Sequence, residues 1–287
     1  MFINSVILLL QEILEAALLI SVLLVITNLF HDIWGRSFVL RKTWIFYALI
    51  LGCAGAWLYA LVTPTVSEWF DYVGQEVVNS LIHLVSLGFL ILLSWVAPSN
   101  YFSDKTSQRA QLVIASMVVI VLLALVREGS EILLYLGGVT SQSENVVPVL
   151  SGAVIGAGIG LSCGVILYYG LTSLSHTWAF RVCLLLLAFV CGNIASQIVM
   201  LLTQADWLPY TAIAWDTAGL LPENSITGRL LYALIGYEAT PSILQAVCYG
   251  LAMLIIIFGP LFRLAWPGIL AKNVEQYASN VYVRLKN

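Results

Sequence analysis

Long apolar runs, separated by short polar breaks, recur along the chain from its first residues almost to its last. A hydrocarbon core of roughly 30 Å takes about 20 apolar residues in a helix rising 1.5 Å per residue. Seven runs meet that length: residues 3–29, 43–63, 77–97, 111–138, 147–171, 179–203 and 241–264. The pattern predicts an all-α integral membrane protein of about seven transmembrane helices, forming one domain over residues 1–287. The longest connection, 204–240, holds Pro209, Gly219, Pro222, Gly228 and Gly236 among apolar residues, and reads as a re-entrant or capping segment.

Composition sharpens this picture. With 61% hydrophobic and 9% charged residues and a mean hydropathy of +0.97, an ordinary soluble domain is excluded. The first run has no basic leader and carries Glu12 and Glu15, so it is expected to remain in the mature protein. The five cysteines lie inside apolar runs without a CxxC pair, which argues against a disulfide framework or a zinc site.

Of twelve Lys and Arg, ten fall on one side when the connections alternate: Arg36, Arg41, Lys42, Lys105, Arg109, Arg181, Arg263, Lys272, Arg284 and Lys286. Only Arg229 falls on the other, and Arg127 is inside a helix. The positive-inside rule then places the N-terminus outside and the C-terminus in the cytoplasm. The outer face holds eight acids (Glu68, Asp71, Glu76, Glu144, Asp206, Asp216, Glu223, Glu238), a field that concentrates cations. Nothing in this charge pattern points to a nucleic-acid partner; the partners expected are a metal cation and the lipid bilayer. Oligomeric state is left open.

Two apolar helices carry the chemistry. The first run reads Gln11-Glu12-Ile13-Leu14-Glu15 and the fourth Arg127-Glu128-Gly129-Ser130-Glu131. Residues three apart share a helix face, so each ExxE offers two carboxylates to one site. Each charge at a helix centre costs about 2.5–3.5 kcal/mol, and one arginine offsets only part of four acids. Carboxylates without Cys or His suit hard cations such as ferric iron, Mn²⁺, Mg²⁺ or Ca²⁺. Both motifs lie about ten residues from the same membrane face, on helices that run in opposite directions. That predicts inverted three-helix repeats followed by a seventh helix.

These motifs resemble those of the oxidase-dependent iron permease family, the bacterial Efe-type and fungal high-affinity permeases of the iron/lead transporter group, whose signature is R-E-x-x-E in the first and fourth helices. Arg127 to Glu131 matches fully, and Gly164 to Gly170, Trp215-Asp216-Thr217, Gly236-Tyr237 and Pro241-Ser242 extend the likeness over most of the chain. The resemblance implies a multi-pass permease of a bacterial inner membrane, not an enzyme, with no permanently bound cofactor. It implies that Glu12, Glu15, Glu128 and Glu131 handle the iron, Arg127 tunes their charge, and an oxidase or extracytoplasmic iron-binding protein delivers ferric ion. Gln11 departs from the family's usual Arg, making the site more negative by one unit and opening a divalent or heavy-metal substrate. A carboxylate-bridged redox enzyme is the competing class; it would want a Glu-x-x-His, which neither motif has.

Further polar residues suggest an access route. Glu76, Asn79 and His83 form a stripe at helical spacing, and Asp216 and Glu238 in the long connection are plausible first contacts for a cation. Gly152, Gly156 and Gly160, with Gly158 beside them, form a small-residue face suited to close helix packing.

Overall fold

A computed structural model describes residues 1–34, 43–96, 106–140 and 146–265. Among them the chain is helical: α1 Phe2–Trp34, α2 Thr43–Ser67, α3 Trp69–Tyr72, α4 Gly74–Val96, α5 Thr106–Thr140, α6 Val146–Thr172, α7 His176–Gln204, α8 Ile226–Ile235 and α9 Ile243–Ala265. Among the described residues, six helices are long and apolar enough to cross a membrane: α1, α2, α4, α5, α6 and α7. The expected seventh run is α9, and α8 is a further short apolar helix. Most of the basic residues behind the expected orientation, namely Arg36, Arg41, Lys42, Lys105, Lys272, Arg284 and Lys286, lie outside the described residues, as do Asp104, Glu144 and Glu275.

The expected break between the second and third runs is shorter than their composition suggests. α2 continues past Pro64 to Ser67, and the chain reverses through Phe70, Asp71 and Tyr72, all at positive φ (54°, 61° and 71°). Left-handed backbone costs about 1–2 kcal/mol per non-glycine residue, so the reversal is strained. Gly74 completes it, because a Cβ there would collide with the Val66 carbonyl.

Glycines set the helix pairing. Along α6, Gly152 lies on Phe2, Gly156 on Val6, Gly160 on Leu10 and Ile13, and Gly164 on Ala17, so α1 and α6 run parallel with their backbones nearly touching. The Ser21 hydroxyl donates to the Gly164 carbonyl at 2.9 Å. Gly158 faces away from this seam, with nothing near its Cβ position. A second parallel seam joins α2 to α5, where Gly52 meets Leu125, Gly55 meets Val126 and Ala56 meets Gly129. α1 and α5 are antiparallel: Ser5 Oγ lies 2.8 Å from the Tyr135 hydroxyl at one end, and Thr27 Oγ1 donates to Met117 Sδ at 3.6 Å towards the other.

The apolar core fills one half of the bundle. Leu18, Val22 and Leu23 of α1, Leu90 and Leu93 of α4, Met117, Ile120 and Val121 of α5, Leu187 and Cys191 of α7 and Ile256 of α9 form one cluster. The two ExxE motifs lie at its upper edge, towards the start of α1 and the end of α5.

The connection 204–240 enters the bundle. Ser225 caps α8, accepting from the Gly228 amide at 3.0 Å, and Gly236 ends it with a left-handed φ of 68° that the Asn193 side chain crowds. The Tyr249 hydroxyl donates to the Ile235 carbonyl at 2.6 Å. The chain then returns as an extended segment to a bridge between Ile213 and Ser242, from which α9 starts. α8 is thus a short helix packed beside α1 and α7, after which the chain turns back.

Candidate metal-transit site

Antiparallel packing of α1 and α5 brings the two motifs face to face. Glu12, Glu128 and Glu131 each place one carboxylate oxygen within 4.8 Å of the others. Glu12 and Glu128 are buried, at 6% and 7% exposure. Arg127 serves as the hub: Nη1 donates to Glu128 Oε1 at 2.8 Å and lies 3.6 Å from Glu15 Oε2, while Nε lies 3.2 Å from Glu131 Oε1. Glu15 therefore joins through the arginine rather than through the carboxylate trio.

Four acids share one guanidinium, and two buried oxygens, Glu12 Oε2 and Glu128 Oε2, have no hydrogen-bond partner. An all-oxygen, anionic donor set of this kind fits a hard or borderline metal cation.

Two cavities flank the cluster. One, of about 340 Å³, is lined by Gln11, Glu223, Arg229, Tyr232, Tyr237 and Glu238 among others. Gln11 thus opens on this vestibule beside the first motif. Glu238 does more than line it, because Ser196 Oγ donates to Oε1 at 3.0 Å and Gln245 Nε2 to Oε2 at 2.7 Å, tying the returning segment to α7 and α9. Burial pushes the Glu238 carboxyl above the usual carboxylate range, against the pull of the Ser196 bond.

The second cavity, about 50 Å³, lies between the motifs and the apolar core, lined by Glu15, His83, Arg127, Glu128, Asn193 and Gln197 among others, with the last turn of α8 closing one wall. A helix C-terminus carries partial negative charge, so α8 favours a cation there.

The remaining sequence candidates are dispersed. The Asn79 carbonyl accepts from the Tyr59 hydroxyl at 2.8 Å. Glu76, in the first turn of α4, has a buried Oε2 without a partner. Asp216 is exposed and accepts from the Ala218 amide at 2.9 Å, holding its own turn. Asn193 and Gln197 escaped the sequence reading because they sit inside an apolar run. Their spacing of four, matching Asn79 and His83, was the available signal.

The chain is 24% identical over 256 residues to the ferrous iron permease EfeU of Escherichia coli O6:H1 (strain CFT073), covering 84% of this chain and 88% of that one. The same figures hold for a protein of Escherichia coli K12 described as a putative inactive ferrous iron permease EfeU. The EfeU of Shigella flexneri is 27% identical over 135 residues, covering 47% of this chain and 57% of that one. No solved structure matches. These relatives are permeases, transporters rather than enzymes, and the apolar helices make this chain a multi-pass membrane protein. Residues 2–266 match the sequence profile of the Iron permease FTR1 family, and the chain belongs to that family.

Proposed function

We propose that the chain carries iron inward across a bacterial inner membrane, through a midplane bed of Glu12, Glu15, Glu128 and Glu131 whose charge Arg127 partly balances. The carrying observation is the pair of unpartnered buried oxygens, Glu12 Oε2 and Glu128 Oε2, beside a third carboxylate within 4.8 Å. Desolvating a carboxylate without a partner costs several kcal/mol, and a passing cation supplies the missing partner. Entry into a negative interior adds about 2.3 kcal/mol per charge per 100 mV.

The α1–α6 and α2–α5 seams support the inverted-repeat reading. Exchanging the first three crossings (α1, α2, α4) with the next three (α5, α6, α7) maps one parallel, glycine-lined pair onto the other. We take α9 as the seventh crossing, with the N-terminus outside. The 340 Å³ vestibule is then the outer receiving chamber, where an oxidase or extracytoplasmic iron-binding protein would deliver its ion.

Two readings of the ion remain distinct. Ferric ion suits the all-carboxylate bed. Fe²⁺ is favoured by the name of the relatives and by an imidazole on the cavity beneath that bed. Proteoliposomes offered either ion separate them. In cells, Glu12→Gln and Glu128→Gln are expected to abolish iron uptake at unchanged membrane abundance; normal uptake by both rejects the glutamate bed.

A further inference from the structure

Beneath the glutamates, His83 is 5% exposed and its Nε2 has no hydrogen-bond partner. Gln197, at 1% exposure, donates its amide nitrogen to Asn193 Oδ1 at 3.2 Å, which fixes the amide and leaves Oε1 as an acceptor without a donor. Both line the 50 Å³ cavity that Glu15 and Glu128 reach from above. That volume exceeds the roughly 15 Å³ one water needs, so an ion with a residual water fits. His83 and Gln197 face each other within side-chain hydrogen-bonding reach, yet neither of these atoms has a partner in hydrogen-bond geometry, so one ion between them would meet both.

We propose that this chamber is a second station for the travelling ion, at which His83 Nε2 and Gln197 Oε1 take over from the carboxylate bed, with Glu128 or Glu15 keeping one oxygen on the metal. A mixed imidazole, amide and carboxylate set selects a first-row divalent cation, Fe²⁺ or Mn²⁺, over ferric ion. Arg127 also faces the chamber, and its positive charge keeps the station weak enough to release the ion onward. The inference rests on the transit reading above and deepens it by placing a nitrogen ligand on the path.

The test uses the full chain, purified on a histidine-free tag. The chain has three histidines, so His31→Gln with His176→Gln leaves His83 as the sole imidazole. With Mn²⁺ as the probe, pulsed electron paramagnetic resonance is expected to show ¹⁴N modulation from a bound imidazole in this background. His83→Gln removes it, and Fe²⁺ flux into proteoliposomes falls about tenfold, equivalent to about 1.4 kcal/mol. Gln197→Leu is expected to weaken the nitrogen-coordinated Mn²⁺ by a similar factor. Bound Mn²⁺ without nitrogen modulation in the His83-only protein, modulation surviving His83→Gln, or no bound Mn²⁺ at all overturns the proposal. Glu12→Gln separates the two claims, since Glu12 does not line this chamber. Retained modulation with normal uptake removes the glutamate bed alone, whereas lost uptake with no modulation removes the second station alone.

Discussion

Arg127→Gln tests the electrostatics of the site most directly. The guanidinium touches Glu128 at 2.8 Å, Glu131 at 3.2 Å and Glu15 at 3.6 Å. At about 4 Å between charge centres and an effective dielectric near 20, each pair is worth about 4 kcal/mol. A divalent ion on the carboxylates, roughly 5 Å from the guanidinium, is repelled by about 7 kcal/mol on the same scale. Retaining even a fifth of that means about 1.4 kcal/mol, or tenfold in affinity. The substitution is therefore expected to tighten Mn²⁺ binding at least tenfold while slowing flux, because an ion held too strongly does not leave. Metal-free protein melts lower, and added metal raises its melting temperature more than in the parent. Equilibrium Mn²⁺ binding and proteoliposome flux, measured on the same preparation, check both halves. Weaker binding together with lost flux would refute the reasoning and make Arg127 a ligand-orienting group instead.

Gln11→Arg adds a positive charge at the vestibule and is expected to weaken metal binding, by about half as much again for ferric ion as for a divalent ion, read by competition between the two in flux assays. Gly156→Ala drives a Cβ into the Val6 carbonyl and is expected to destabilise the detergent-solubilised protein by about 1–3 kcal/mol. Gly158→Ala, with open space at its Cβ, should be neutral or slightly stabilising; equal thermal shifts for the two would deny the seam. Glu238 has its folded carboxyl pushed up by burial, so its contribution to stability is fully present below the ordinary carboxylate range and falls as pH rises through the raised value. Melting temperature followed against pH should lose that component in Glu238→Gln, and an unchanged profile would contradict it.

The features legible in the sequence are those carried by local periodicity. Glu12 with Glu15, and Glu128 with Glu131, sit three apart, and the α6 glycines recur every four residues, so one helix turn was enough to see each face. The prolines and glycines of 204–240 marked it as structured, but the landing place of α8 against Asn193 depends on residues some forty positions apart. The reversal at Phe70-Asp71-Tyr72 was illegible, since bulky, exposed residues with positive φ carry no turn signal. Asn193 and Gln197 were hidden for a related reason: polar side chains inside an apolar run become a site only when α4 and α7 close on each other.

The two glycine seams decide what can move. The α6 glycines meet mostly backbone of α1, while those between α2 and α5 meet side chains, so each pair packs closely over several turns and would move as one jaw. Glu12 and Glu15 ride on the first jaw, Glu128 and Glu131 on the second. Any rocking of one jaw against the other therefore widens or narrows the gap between the two acidic pairs directly. If the four glutamates carry the ion as proposed, its grip and the opening of its path are one mechanical coordinate.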